Sequence, residues 1–358
     1  MPTAGALSNR NLIMNGAMQV AQRGTQSTSI TTSNYYVVDR YEFGIGSLGT
    51  WTIDQSTDAP DDFSKSLKHT CTTAVATPAA GSIALITHNI EAQNLQHLNF
   101  GTSNAKPLVL SFWVKSNKAG DASIGLMQPD ASNRLFSTSY NISAADTWEY
   151  KTIQIPADTG GTIDDNSNKG LRIDWYLNSG STFSGGSYQT WGVINNANRN
   201  VSNLGVGGAV NDYLQITGVQ LEVGSKATPF EHESYGQTLA KCQRYFYSAY
   251  NAAVDGTADA SLCTGLYYNT NRFFGVVHFP TTMRIAPTLT ASSGANGEFA
   301  IFRNATSNSL STLTAGDESL NSAEVQATSS QNAVGTKNWP GFLRAVGNTS
   351  YVFFEAEL

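Results

Sequence analysis

The chain has 358 residues, and its charged share of 13% is about half that of an average soluble domain. Lys and Arg number 21 against 27 Asp and Glu, so the basic surplus of a nucleic-acid binder and the Lys/Glu heptads of a long coiled coil are both missing. With 15 Tyr, 16 Phe and 6 Trp the chain carries too many aromatics to be disordered. Its solubility must come from Ser, Thr, Asn and Gln.

In chain order, the segment from Asn11 to about Phe230 predicts a β-sandwich. It opens on Asn11-Leu12-Ile13-Met14-Asn15-Gly16. Strands with a period of two follow at Trp51–Asp54, Leu108–Val114, Tyr150–Ile155 and Leu171–Leu177. Turn clusters at 116–121, 157–161 and 184–187 punctuate them at sandwich spacing. The long alternating run Asp212–Glu222 closes the sheet, and Pro229 leaves it because it has no N–H to donate. A helix is predicted over Ser234–Tyr247, with Tyr235, Leu239, Cys242 and Phe246 on one face. Ser234 and Gln237 are spaced as a capping box. Beyond Ser248 the pattern is β again, with strands at Ala260–Tyr268, Arg272–Phe279 and Ser350–Ala356. Residues 280–287 form a stiff connector, and Ala315–Thr336 reads as a loop or exposed sheet. The fold class expected is all-β: a larger N-terminal sandwich, a short helix and a smaller C-terminal β domain.

The chemistry-bearing inventory is thin. His69, His88, His97, His232 and His278 lack zinc-binding spacing, and no phosphate-binding loop or nucleophile elbow occurs. Asp61-Asp62 and Asp164-Asp165 lie in turn-like sequence, where Asp is common for backbone reasons; Glu91 and Asp174 are no better placed as catalytic acids. The chain is therefore expected not to be an enzyme. Cys71, Cys242 and Cys263 read as buried free thiols, and the N-terminal sequence lacks the pattern of a signal peptide, so synthesis in a reducing cytoplasm is expected. No apolar run reaches 18 residues, so membrane insertion is not expected, nor is binding of nucleic acid.

Aromatics beside amides are the positive signal, since flat rings meet sugar C–H faces and planar polar groups meet hydroxyls. Trp175, Tyr176, Tyr188 and Trp191, interleaved with Asn178, Gln189, Asn195 and Asn196 around a Gly/Ser-rich loop, are the first candidates for glycan contacts. Core packing competes for each. Trp175 and Tyr176 are neighbours in a strand, so at most one should be core if the strand is two-sided. Tyr268 beside an Asn-rich turn and Trp339 beside Pro340 are the candidates in the C-terminal domain, and Tyr35, Tyr36 and Tyr41 are weaker ones. Turn carboxylates and carbonyls leave room for a structural calcium, without a ligand set to name.

Several motifs resemble a family of bacteriophage tail-fibre and virion proteins common among marine phages. Asn11–Gly24 is similar to its opening "NLIxNGxMxVxQRG", and Tyr36–Tyr41 to its "YxxDRW", with Tyr41 in place of Trp. Val219–Glu231 resembles "VQLExGxxATPFE", Ser234–Tyr245 resembles "SYGxELxxCQRYY", and Phe279–Pro287 resembles "FPxxMRxxPT". The resemblance implies an arm over 1–10, a jelly roll like carbohydrate-binding modules over 11–230, a helical linker over 231–248 and a C-terminal β domain over 249–358. It further implies a homotrimeric fibre in the virion, made in host cytoplasm and joined to other tail proteins. Its expected function is attachment to host cell-surface polysaccharide or lipopolysaccharide. A purely structural virion part and a polysaccharide depolymerase are the alternatives. The resemblance carries over no sugar-contacting residue.

Overall fold

In the computed structural model, which describes residues 9–130, 133–256, 259–293, 298–303, 306–310, 312–328 and 335–358, the alternating segments pair into four antiparallel sheets. The chain divides into two compact units. The first comprises residues 1–21, 25–238 and 358, and the second comprises 22–24 and 239–357.

The first unit is a jelly-roll-type sandwich. One sheet orders its strands as Gln26–Ile30, Thr50–Ser56, Ser66–Thr73, Tyr213–Val223, Leu108–Ser116 and Glu149–Ile155. The other runs Gln189–Val193, Arg134–Ile142, Gly120–Gln128, Lys169–Ser179, Ile83–Glu91, Tyr41–Gly46 and Asn34–Tyr35. Alternation decides what each strand buries. In Leu108–Ser116, Leu108, Leu110, Phe112 and Val114 enter the core; in Lys169–Ser179, Leu171, Ile173, Trp175 and Leu177 do so. The two sets interlock where Phe112 meets Trp175 edge to face, with centroids 5.8 Å apart.

The motif residues serve this architecture. Asn11 accepts the N–H groups of Ile13 and Leu221 on its side-chain oxygen and donates to the Val219 carbonyl. The Glu231 carboxylate accepts the backbone N–H groups of Asn9, Arg10 and Asn11 at 2.6–2.9 Å. Burial raises the pKa of that carboxyl, but those three donors and Arg10 outweigh burial and leave it lowered. Asn15 bonds Val20 N–H and donates to the carbonyls of Val20 and Asp39. Arg40, fully buried with φ +73°, donates to the Asn89 carbonyl at 2.8 Å.

The second unit pairs a three-stranded sheet (Phe246–Asn251, Tyr351–Glu355, Thr288–Ala291) with a seven-stranded one. The latter runs Thr306–Leu310, Phe299–Arg303, Pro340–Ala345, Ala260–Tyr267, Arg272–His278, Ser322–Thr328 and Thr312–Glu318. Phe273, Phe299, Leu343, Met283 and Phe354 fill its core. Residues Gln22–Gly24, near the start of the chain, belong here. Gln22 donates to the Phe246 carbonyl at 2.8 Å, and the Arg23 guanidinium lies 3.4 Å from the Phe246 ring centroid.

The helix is shorter than its periodicity predicts. It spans Tyr235–Gln243, and Phe246 starts a strand paired with Tyr351–Glu355. The capping box forms: Ser234 N–H donates to Gln237 Oε1 at 3.1 Å and Gln237 N–H to Ser234 Oγ at 3.4 Å. Within Ala315–Thr336, residues to Glu318 and from Ser322 to Thr328 pair as strands, and 329–334 lie outside the described residues. The small buried side chains Ala323, Val325 and Ala327 made that alternation faint. Cys71 and Cys242 are buried, whereas Cys263 is only half-buried.

Candidate functional site

The sequence-predicted aromatics of the first unit do not form one surface. Trp175 is a fully buried core residue, in contact with Phe112 and Tyr41, and is withdrawn from any ligand surface. Tyr176 does point to the other face of its strand, as alternation requires, yet it too is fully buried. Only Trp175 joins the hydrophobic core, as expected of a two-sided strand, but the second face is covered as well because the chain after the strand folds back over it. Arg199 Nε donates to the Tyr176 hydroxyl at 3.2 Å, Asn203 donates to Asn178 Oδ1 at 3.0 Å, and Ser202 N–H donates to Ser123 Oγ at 2.7 Å. Beneath this cover Asp174 accepts from Arg172 Nε at 2.6 Å and Thr87 Oγ1 at 2.8 Å, with Arg199 at 3.9 Å. This carboxylate holds a buried polar network together.

Tyr188 is 58% exposed, and its hydroxyl bonds Ser139 Oγ at 2.7 Å. Trp191 is half-buried and turns the opposite way. It packs on Phe100 and Phe136 and donates its indole N–H to the Pro156 carbonyl at 2.8 Å. Tyr35 and Tyr41 are buried, and Tyr36 bonds Thr32. Among the described residues, no three His, Cys, Asp or Glu side chains gather as a metal site.

An aromatic groove of about 910 Å³ lies instead on the outer face of the six-stranded sheet. It follows from the strand Leu108–Ser116: with Phe112 turned into the core, Trp113 must face out. Tyr150 is its cross-strand partner, so the two rings lie side by side at 5.5 Å and 53°. Tyr150 is 46% exposed. Phe63 and Phe230 form one wall, edge to face at 5.0 Å, with His232 against both. Gly218, at φ +60°, marks a register shift in the strand Tyr213–Val223 and leaves space for the rings of Phe63 and Trp113. Thr152, Ser111, Asp62 and Lys226 bring polar groups to the lining, and Gln154 donates to the Ser225 carbonyl at 3.2 Å.

Further along the same sheet Asp58 accepts from Lys115 at 2.8 Å and from the Trp148 indole at 3.0 Å. Burial pushes the Asp58 carboxyl upward, but Lys115 and Trp148 outweigh it, and it stays lowered and ionised at neutral pH. Sequence reading missed this face because Trp113 sits inside an ordinary strand. The available signal was its position one residue after Phe112, on the opposite side of the pleat.

In the second unit Tyr268 and Trp339 are both exposed, at 56% and 46%. Tyr268 stacks on Phe274 at 5.0 Å and 9°, and the Arg303 guanidinium lies 4.6 Å from the Trp339 ring. Trp339 lines a groove of about 650 Å³ with Phe302, Phe342 and Leu266. Tyr268 lines a neighbouring groove of about 440 Å³ that shares Thr264, Gly265 and Leu266. These two predicted residues are thus brought to adjoining grooves of one unit.

No protein-family model matches the chain, and no curated protein matches it. Solved structures similar to it include the enzymatically active domain of bacteriophage CBA120 tailspike protein 4, at 15% identity and a TM-score of 0.32. That match covers 60% of this chain and 22% of the tailspike chain, so the chain spans under a quarter of that relative's length. The module CBM4 matches at 11% identity and a TM-score of 0.30, over 59% of this chain and 99% of that one. TmCBM61 in complex with β-1,4-galactotriose matches at 8% identity and a TM-score of 0.28, over 61% and 100%.

Proposed function

We propose that the protein is a receptor-binding component of a phage tail fibre that holds a host surface glycan without cleaving it. The observation that carries the binding role is the Trp113–Tyr150 pair, side by side on the floor of an open groove with polar groups on its lining. Two adjacent rings, tilted 53° to each other, present apolar faces to the C–H groups of successive sugars, while amide, hydroxyl and carboxylate groups reach their hydroxyls. The virion assignment rests on the motif resemblance at Asn11–Gly24, Val219–Glu231 and Phe279–Pro287. Host polysaccharide or lipopolysaccharide is the ligand of this reading, other tail proteins are the partners, and the working assembly is a homotrimer.

The test is binding of purified host envelope polysaccharide to the full chain by calorimetry. Trp113→Ala and Tyr150→Ala should each weaken binding about tenfold while circular dichroism stays unchanged, in line with aromatic contributions of about 1–1.5 kcal/mol. Unchanged affinity in both variants overturns the site. Release of new reducing ends on prolonged incubation overturns the non-enzymatic reading in favour of a depolymerase. A solution mass of one chain by light scattering overturns the trimer.

A second reading is a purely structural virion part, favoured by the architectural use of Asn11, Asn15 and Glu231 within the shared motifs. Immunogold labelling of the head rather than the tail would favour it.

A further inference from the structure

On the outer face of the seven-stranded sheet of the second unit, register aligns a row of large apolar side chains. Phe302 pairs with Phe342, and Leu266 pairs with Phe274 and Pro340. Leu266, Phe342, Trp339, Tyr268 and Val276 are all exposed there. Such a contiguous exposed patch marks a binding surface. Its charge is mainly basic. The Arg344 guanidinium lies 4.5 Å from the Phe302 ring, Arg303 lies 4.6 Å from Trp339, and Arg272 lies 5.4 Å from Phe274. Lys337 lines the smaller groove, where Glu324 is the lining carboxylate and already accepts from Gln326 at 2.9 Å. Asp259 reaches Arg344 only at 4.0 Å.

We propose that this face is a second binding site, separate from the Trp113 groove, for an anionic polysaccharide chain. Aromatic rings would take the sugar faces, and the guanidinium groups riding on those rings would take the carboxylates or sulfates. Arginine suits both tasks because its plane stacks on a ring while its edge offers paired N–H donors. The charge argues against a self-complementary twofold contact as the occupant, which would set the same four cations against each other.

The test is calorimetric titration of the full chain with three probes: polygalacturonate, dextran sulfate and uncharged dextran. Polygalacturonate or dextran sulfate should bind at least tenfold more tightly than dextran, and the stronger of the two identifies carboxylate or sulfate as the group read. Affinity should fall at least fivefold between 50 and 300 mM salt, as for any contact with screened charges. Arg303→Gln and Trp339→Ala should each weaken it about tenfold; Arg344→Gln should weaken it as well, and Trp113→Ala should leave it unchanged. Equal binding of dextran, no binding of either anionic polymer at millimolar sugar, or indifference to both Arg303→Gln and Trp339→Ala overturns the proposal. So does a solution mass above one chain that drops to one chain in Phe342→Ala, which would make the face an interface between copies.

Discussion

Gly218 and Trp113 are fitted to each other: a Cβ on Gly218 would lie 3.0 Å from Trp113 Cδ1 and 2.7 Å from Phe63 Cζ. The backbone there has φ +60°, in the left-handed region that disfavours every residue with a side chain. One glycine therefore both turns the bulge in the strand and leaves the groove open for its aromatic floor and wall. Gly218→Ala should destabilise the first unit by about 1–3 kcal/mol from strain and displaced rings. Urea unfolding followed by Trp fluorescence measures this, and a loss below the error of the midpoint would contradict the fit.

Acid should weaken the first unit through its buried histidines. His69 is fully buried against Phe43, and burial holds its pKa down to about 3. His88 is lowered by burial and by Arg40. Both are neutral in the fold, whereas the unfolded chain takes up their protons near pH 6.5. Their contribution is therefore complete above about pH 6.5 and is lost progressively as pH falls toward 3. For His69 the loss is on the order of 4–5 kcal/mol. Stability measured from pH 7 to pH 4 should fall, and His69→Leu should flatten that fall; a slope identical to wild type rejects the assignment.

Removing the Asp174 carboxylate should loosen the segment that covers Tyr176. Asp174→Ala leaves Arg172 and Thr87 without their acceptor, at a cost of about 3 kcal/mol for a broken buried ion pair. Limited proteolysis should then cut within residues 180–203 faster than in the parent chain. Protection equal to wild type would show that the cover stands without the network.

Gln22→Ala should act on the second unit, although the residue lies near the start of the chain. It removes the donor to the Phe246 carbonyl, a net loss of about 1–2 kcal/mol. Amide exchange should quicken in Phe246–Asn251 and stay unchanged in Leu108–Ser116. Faster exchange confined to the first unit would contradict the placement.

Local geometry was legible in the order of the amino acids. Period-two alternation placed Leu108–Val114, Tyr150–Ile155 and Leu171–Leu177 in strands, because each has one face rich in core-forming side chains. The Ser234/Gln237 spacing set the start of the helix, because a capping box needs only neighbours three residues apart. The low charge and the many aromatics pointed to a β protein with a neutral-polar surface. Partners far apart in the chain decided the rest. Phe246 left the predicted helix for a strand because Tyr351–Glu355 offered a ladder about a hundred residues away. Trp175 and Tyr176 went out of reach because the segment through Arg199 and Asn203 folded over the second face of their strand. Trp113 became the candidate floor because Tyr150 arrived beside it and Phe63 and Phe230 walled it in. Alternation says which side of a strand a ring takes; only the tertiary fold says whether that side is covered.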